Sequence, residues 1–228
     1  MTGKYSHNYF VRRDYLDTKI ACAVKKILIE NNLTSVLDVG CGTGKLVKFL
    51  NDNGFQAKGC DPNPEALKVA AKFNQKGSIV NANATKLPFK KASFGLVCCV
   101  SVIEHLTKRE AKIFLNEAKR VLKPQGFVFI ITPNFSTPLR FIQGKNWFGY
   151  LDPTHITFYT PKQLGSALHK TGLTVKINPS IKYEDSNPQD LPNTFKYLPG
   201  WVNKLLFHMF FASPFSKLRN SFWILAQK

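Results

Sequence analysis

The stretch "VLDVGCGTGKL", Val36 to Leu46, constrains the fold more than any other part of the chain. An apolar run ending in Asp38 reads as a buried strand, and Gly40, Gly42 and Gly44 follow it at alternate positions. Glycine tolerates positive φ and carries no Cβ, so such a loop brings bare backbone against a ligand. A helix over about Lys45–Asn53 and a second strand, "FQAKGCD" (55–61), complete a strand–loop–helix–strand unit. Units of this kind bind nucleotides at the carboxyl edge of a parallel sheet.

The spacing narrows the ligand. A dinucleotide site wants GxGxxG, with a helix N-terminus aimed at pyrophosphate. Here the order is GxGxG, and Asp38 stands just ahead of it. A carboxylate in that place repels pyrophosphate and attracts an ammonium group. Asp61, 21 residues beyond Gly40 at the end of the second strand, can accept hydrogen bonds from both ribose hydroxyls. A nucleoside with a zwitterionic tail fits this set, which describes S-adenosylmethionine.

The alternation of strand-like and helix-like segments predicts an α/β fold, a mostly parallel sheet wrapped by helices. Ile20, Ala23, Val24, Ile27 and Leu28 fall at helical spacing over about 16–31. Further strands are expected at 78–82, 94–101, 127–133, 173–177 and 221–227. Asn63 before Pro64, Thr107 with Glu110, and Thr160 with Pro161 and Gln163 mark helix starts. Pro124-Gln125-Gly126 is expected to separate the fourth helix from the fifth strand.

At 228 residues a single domain, 1–228, is expected, with its cofactor-binding core over about 16–133. Two segments break the rhythm, an aromatic stretch at about 133–160 and another at about 178–220, and both are expected to face the substrate.

The 32 basic and 14 acidic residues leave a net charge of +18, which favours an anionic surface, a nucleic acid or a phosphorylated substrate, or reflects only the source proteome. The five cysteines are odd in number and lack CxxC spacing, so they read as reduced thiols. No signal-peptide core and no span of eighteen apolar residues is visible, which makes a cytoplasmic enzyme with peripheral membrane contact the expectation.

"VLDVGCGTG", "GCDPNPEAL", "LPF" (87–89), "FGLV" (94–97), "VIEHL" (102–106) and "LKPQGFVFIITPN" (122–134) together resemble the class I S-adenosylmethionine-dependent methyltransferases. The similarity is greatest to the small-molecule branch that includes ubiquinone-biosynthesis O-methyltransferases, and covers about 16–177 and the last strand. It implies a Rossmann-like seven-stranded sheet with an antiparallel last strand and a helical insertion before it. It also implies that Asp38 faces the methionine amino group and that Gly40, Gly42 and Gly44 wrap the tail. Asp61 would hold the ribose, Pro62 would lie against the adenine, the Asn83 side-chain oxygen would accept from its amino group, and Ala84 would also belong to the cofactor site. Ser101 would lie near the methionine end. Two departures stand out: Asn83 occupies a position that is often acidic, and Gly95 replaces the acid of the usual "FDLV".

Transfer to a hydroxyl needs a general base. His105, after Glu104 past the fourth strand, and His155, in "LDPTHITFYT" with Asp152 nearby, are the candidate catalytic residues. Either can instead simply position its loop. Glu104 and His105 are too few ligands to assign a metal, so none is expected. His7, His169 and His208 read as surface or packing residues.

Leu198, Trp201, Val202, Leu205, Leu206, Met209 and Phe210 make an apolar helical stripe, with Lys196, Lys204, Lys217 and Arg219 around it. This points to a segment at about 195–219 that packs on the domain, joins a homodimer, or lies on an anionic membrane to reach a lipid-linked substrate. Two other functions compete. An RNA methyltransferase is invited by the charge, but the basic residues are dispersed and no appended RNA-binding module is seen. An inactive cofactor-binding regulator would keep the pocket without turnover.

Overall fold

The computed structural model describes residues 16–177, 199–202 and 220–228. Helix α1 (Thr18–Glu30) starts at Asp17, whose carboxylate accepts from the Lys19 and Ile20 amides, and it buries Ala21, Val24, Ile27 and Leu28. Strand β1 (Ser35–Val39) is buried along its whole length, as a central parallel strand must be. Next come α2 (Lys45–Asp52), β2 (Gln56–Asp61), α3 (Pro64–Ala70), β3 (Ile79–Asn81) and β4 (Phe94–Val100). A 3₁₀ turn (Ile103–His105) leads to α4 (Lys108–Val121) and β5 (Leu122–Pro133). The remaining elements are α5 (Leu139–Gln143), α6 (Phe148–Leu151), α7 (Pro161–Lys170), β6 (Thr174–Ile177) and β7 (Ser221–Gln227).

The strands form one seven-stranded sheet in the order β3-β2-β1-β4-β5-β7-β6. β1 pairs in parallel with both β2 and β4, whereas β7 inserts antiparallel between β5 and β6. The expected antiparallel last strand is therefore present. The strand order reverses at the neighbours β1 and β4, so a crevice opens at their carboxyl ends, where ligands bind in such sheets. Two apolar cores back the sheet. One joins it to α4 and α7 through Phe114, Leu115, Leu164 and Leu168, and the other joins it to α1 and α2 through Val24, Leu28, Val47 and Leu50.

The local start signals act as the sequence predicts. Asn63 caps α3, and full capping boxes open α4 and α7. One boundary differs. Pro124-Gln125-Gly126 lies inside β5: Leu122 already pairs with Phe94, and the register then jumps to Phe127 opposite Leu96. The three residues bulge out of the ladder, with Gln125 at φ 62°.

The aromatic stretch after β5 holds the short helices α5 and α6 and packs around Trp147, which is fully buried. Phe135, Phe148, Tyr150 and Phe158 surround that indole at ring distances of 4.9–6.4 Å. The Trp147 N–H donates to the Asn220 side-chain oxygen at 3.1 Å, joining the stretch to the start of β7. His169 is exposed. His7, His208, most of the expected insertion at 178–220 and nearly all of the expected segment at 195–219 lie outside the described residues.

Candidate active site

The glycine loop leaves the carboxyl end of β1. Gly40, Gly42 and Gly44 have φ of 76°, 51° and 72°. Packing demands two of them in addition: a Cβ would lie 2.2 Å from Val102 Cγ2 at Gly40 and 2.6 Å from Asn74 Nδ2 at Gly44. At Gly42 a Cβ would meet nothing within 4 Å, so this part of the loop faces open space. The Gly40 and Cys41 amides donate to the Cys60 carbonyl at 2.7 and 3.1 Å, which ties the loop to β2.

Asp61 ends β2 beside this loop. Its Oδ2 accepts from the Gly42 amide at 3.0 Å and its Oδ1 from the Asn63 amide at 2.8 Å. Each oxygen keeps a lone pair, so the carboxylate is held in place and can still accept from a ligand diol. Asp38 is 5% exposed. Burial, and secondarily the charge of Asp61, push its carboxyl up to about 7. Two acids thus crowd an edge bounded by a bare backbone loop, and a ligand bringing a positive charge would relieve both. These residues fit an adenosyl ligand with an ammonium tail.

Ser101 closes β4 in an unusual conformation for a serine, φ 51°, with its amide donating to the Ile131 carbonyl. Strain of this kind gathers at functional sites. Val102 follows and packs on Gly40. Pro62 is half-buried and Ala84 is buried. Asn83 is exposed, and its Oδ1 accepts from the Thr85 amide and hydroxyl, both at 3.2 Å. A turn therefore engages the oxygen expected to face an adenine amino group. Sequence reading gave no sign of this, because Thr85 belongs to no motif.

A second cluster lies after β4. Glu104 is 1% exposed in the 3₁₀ turn. Its carbonyl accepts from the Ile156 and Thr157 amides at 2.9 and 3.0 Å, pinning the segment that carries His155. Glu104 Oε2 accepts from the Thr132 hydroxyl at 3.0 Å, and Oε1 has no partner. Burial, more than the nearby Asp152 charge, pushes this carboxyl up to about 7.

His105 and His155 stack edge to face with centroids 4.8 Å apart. His105 Nδ1 lies 3.2 Å from the Thr154 carbonyl and 2.9 Å from the Thr154 hydroxyl, which itself donates to Asp152 Oδ1 at 2.6 Å. His155 Nδ1 lies 2.8 Å from the Gly149 carbonyl. A carbonyl can only accept, so each Nδ1 carries a proton, and in the neutral ring the lone pair is on Nε2. Burial, with His155 beside it, lowers the His105 pKa and keeps that ring neutral. The two histidines, which the sequence offered as alternatives, occupy one place. Thr132 and Thr154 support them, though neither sits in a recognisable motif.

A surface hollow of about 720 Å³ opens at the other end of the sheet, lined by Ser35, Gln56, Phe89 and Phe94 where β1, β2 and β4 begin. It lies away from both clusters.

A family model described as a methyltransferase domain matches residues 37–130, from β1 to β5. Demethylmenaquinone methyltransferase of Thermotoga maritima is 25% identical over 186 residues, 72% of this chain and 80% of that protein. Ubiquinone biosynthesis O-methyltransferase of Nitrosospira multiformis is 32% identical over 155 residues, 62% of this chain and 63% of that protein. The matched region and both relatives support a class I S-adenosylmethionine-dependent methyltransferase. Solved structures agree on the fold of this methyltransferase. An S-adenosylmethionine-dependent methyltransferase from Archaeoglobus fulgidus superposes with a TM-score of 0.64 at 22% identity, covering 92% of this chain and 93% of the other. A Haloferax volcanii methyltransferase, solved in complex with the activator Trm112, gives 0.67 at 18% identity and covers 92% and 90%.

Proposed function

We propose that this methyltransferase binds S-adenosylmethionine at the glycine loop and methylates a hydroxyl oxygen of a small or lipid-linked acceptor. The observation that carries the reading is the trio of buried Glu104 and half-buried His105 and His155 at the same carboxyl edge as the loop. An amine acceptor can lose its proton to solvent, whereas a hydroxyl needs a group to take it. In its neutral form either histidine holds a lone pair on Nε2 for that task. The two relatives named for quinone compounds, one of them an O-methyltransferase, support the acceptor class.

When bound, S-adenosylmethionine supplies an electrophilic methyl group on a positive sulfonium. Asp61, preset by the Gly42 and Asn63 amides, accepts from the ribose hydroxyls. Ionised Asp38 attracts the amino group, and the loop from Gly40 to Gly44 admits the tail against its backbone. Pro62 and Ala84 border the base. Asn83 contributes to its recognition once Thr85 releases the side chain. Ser101 and Val102 border the reacting end. Alignment of the acceptor by this frame can supply several kcal/mol. The charge of +18 and the apolar stripe from Leu198 to Phe210 support an acceptor borne on an anionic membrane.

Incubating cell extract with methyl-labelled cofactor tests the reading. Mass spectrometry should find the label as a methyl ether in the organic-soluble fraction. Label in RNA, or on nitrogen only, contradicts it.

A further inference from the structure

Glu104 Oε1 is a buried carboxylate oxygen without a partner. Leaving such an atom unpaired costs more than the roughly 1–3 kcal/mol of a neutral group, so it calls for an explanation. One ligand atom from each of Glu104, His105 and His155 lies within 4.8 Å of the other two. Both imidazoles spend Nδ1 on backbone carbonyls, so Nε2 is the nitrogen each has left to offer a ligand, with the Ser101 carbonyl also near the His105 ring.

From these positions we infer that Glu104 Oε1, His105 Nε2 and His155 Nε2 form a binding site for one divalent transition-metal ion. Two imidazoles and one carboxylate are the ligand set of open, three-ligand zinc and iron(II) centres. The surroundings match what such ligands require, since a metal-bound histidine donates its other ring N–H to a carbonyl or carboxylate and a ligating carboxylate is itself hydrogen-bonded. Here the Thr154 and Gly149 carbonyls serve the histidines and the Thr132 hydroxyl serves Glu104. Metal–ligand bonds of about 2.1 Å put tetrahedral ligands roughly 3.4 Å apart, so an ion draws the trio inward by about 1.5 Å. Asp152, with Oδ2 3.9 Å from His155 Nε2, adds negative charge that favours a cation.

The inference rests on the proposed O-methyl transfer for its purpose, but not for its existence. With three protein ligands a position stays open for an acceptor oxygen. A hydroxyl bound there loses its proton to solvent at a lower pH than a free one, because the ion stabilises the oxyanion. In the metal-bound protein the ion thus takes over the task for which the metal-free histidines were proposed above.

The test is Co²⁺ titration of chelator-stripped full-length protein, followed by calorimetry and visible absorption. One equivalent should bind with nitrogen and oxygen ligation, and Glu104→Gln and His155→Ala should each weaken binding at least ~10-fold to 100-fold, as losing even a supporting partner does. Failure of the intact protein to bind overturns the inference, as does a thiolate charge-transfer band or unchanged affinity in both variants. Should both variants fail to fold, the stoichiometry and spectrum of the intact protein still decide. Titrating the stripped protein with S-adenosylhomocysteine tests cofactor binding separately, so that either idea can fail alone.

Discussion

At the residue scale, Asp38 connects sequence, electrostatics and ligand. Its carboxyl is pushed from an ordinary 3.8 to about 7, chiefly by burial. Between these values the folded ligand-free protein keeps a proton that the unfolded chain has released. The stability is thus fully present below about 3.8 and is lost progressively as pH rises to about 7. The loss is near 1.4 kcal/mol per unit, or about 4 kcal/mol over three units. Urea unfolding of the ligand-free protein from pH 4 to 7 should show this decline, and Asp38→Asn should make it shallower. Glu104, also raised to about 7, contributes equally to both proteins and cancels in the difference. Equal slopes would mean that Asp38 is not perturbed in solution.

At the scale of elements, legibility followed the range of the signal. Caps and strands were visible because their causes are local: Asn63 before Pro64, Thr107 with Glu110, and an apolar run ending in Asp38. The helices α5 and α6 were not, since 5 and 4 residues are too few to show a period. What organises that stretch is Trp147, whose partners Phe135, Phe158 and Asn220 are distant in sequence. The start of β5 was missed because pairing with β4 overrides the turn signal of Pro124-Gln125-Gly126. Likewise, both histidines were legible but not their meeting, which the Ile156 and Thr157 amides bonded to Glu104 bring about. Trp147→Ala should cost about 3–5 kcal/mol, as other large buried aromatics do. A urea midpoint equivalent to under 1 kcal/mol would show that the aromatic stretch does not depend on this ring.

For the whole molecule, the relevant quantity is charge. No helix among the described residues is long and apolar enough to cross a membrane. The net charge of +18 nevertheless provides attraction to anionic lipid, strongest at low salt and cut to a range of about 3 Å at 1 M. The full chain should float with anionic vesicles at low salt and be released at high salt. It should not float with neutral vesicles. Binding that survives deletion of residues 193–219 would remove that segment from the account.

The adenosyl site is the claim on which the other readings depend, and calorimetric titration with S-adenosylhomocysteine of the wild type and Asp61→Ala tests it most directly. Two hydrogen bonds to a charged group, at roughly 1.5–3 kcal/mol each, predict that the variant loses about 3 kcal/mol, or ~100-fold in affinity. Equal affinity in the two proteins would contradict the placement of the ribose on Asp61.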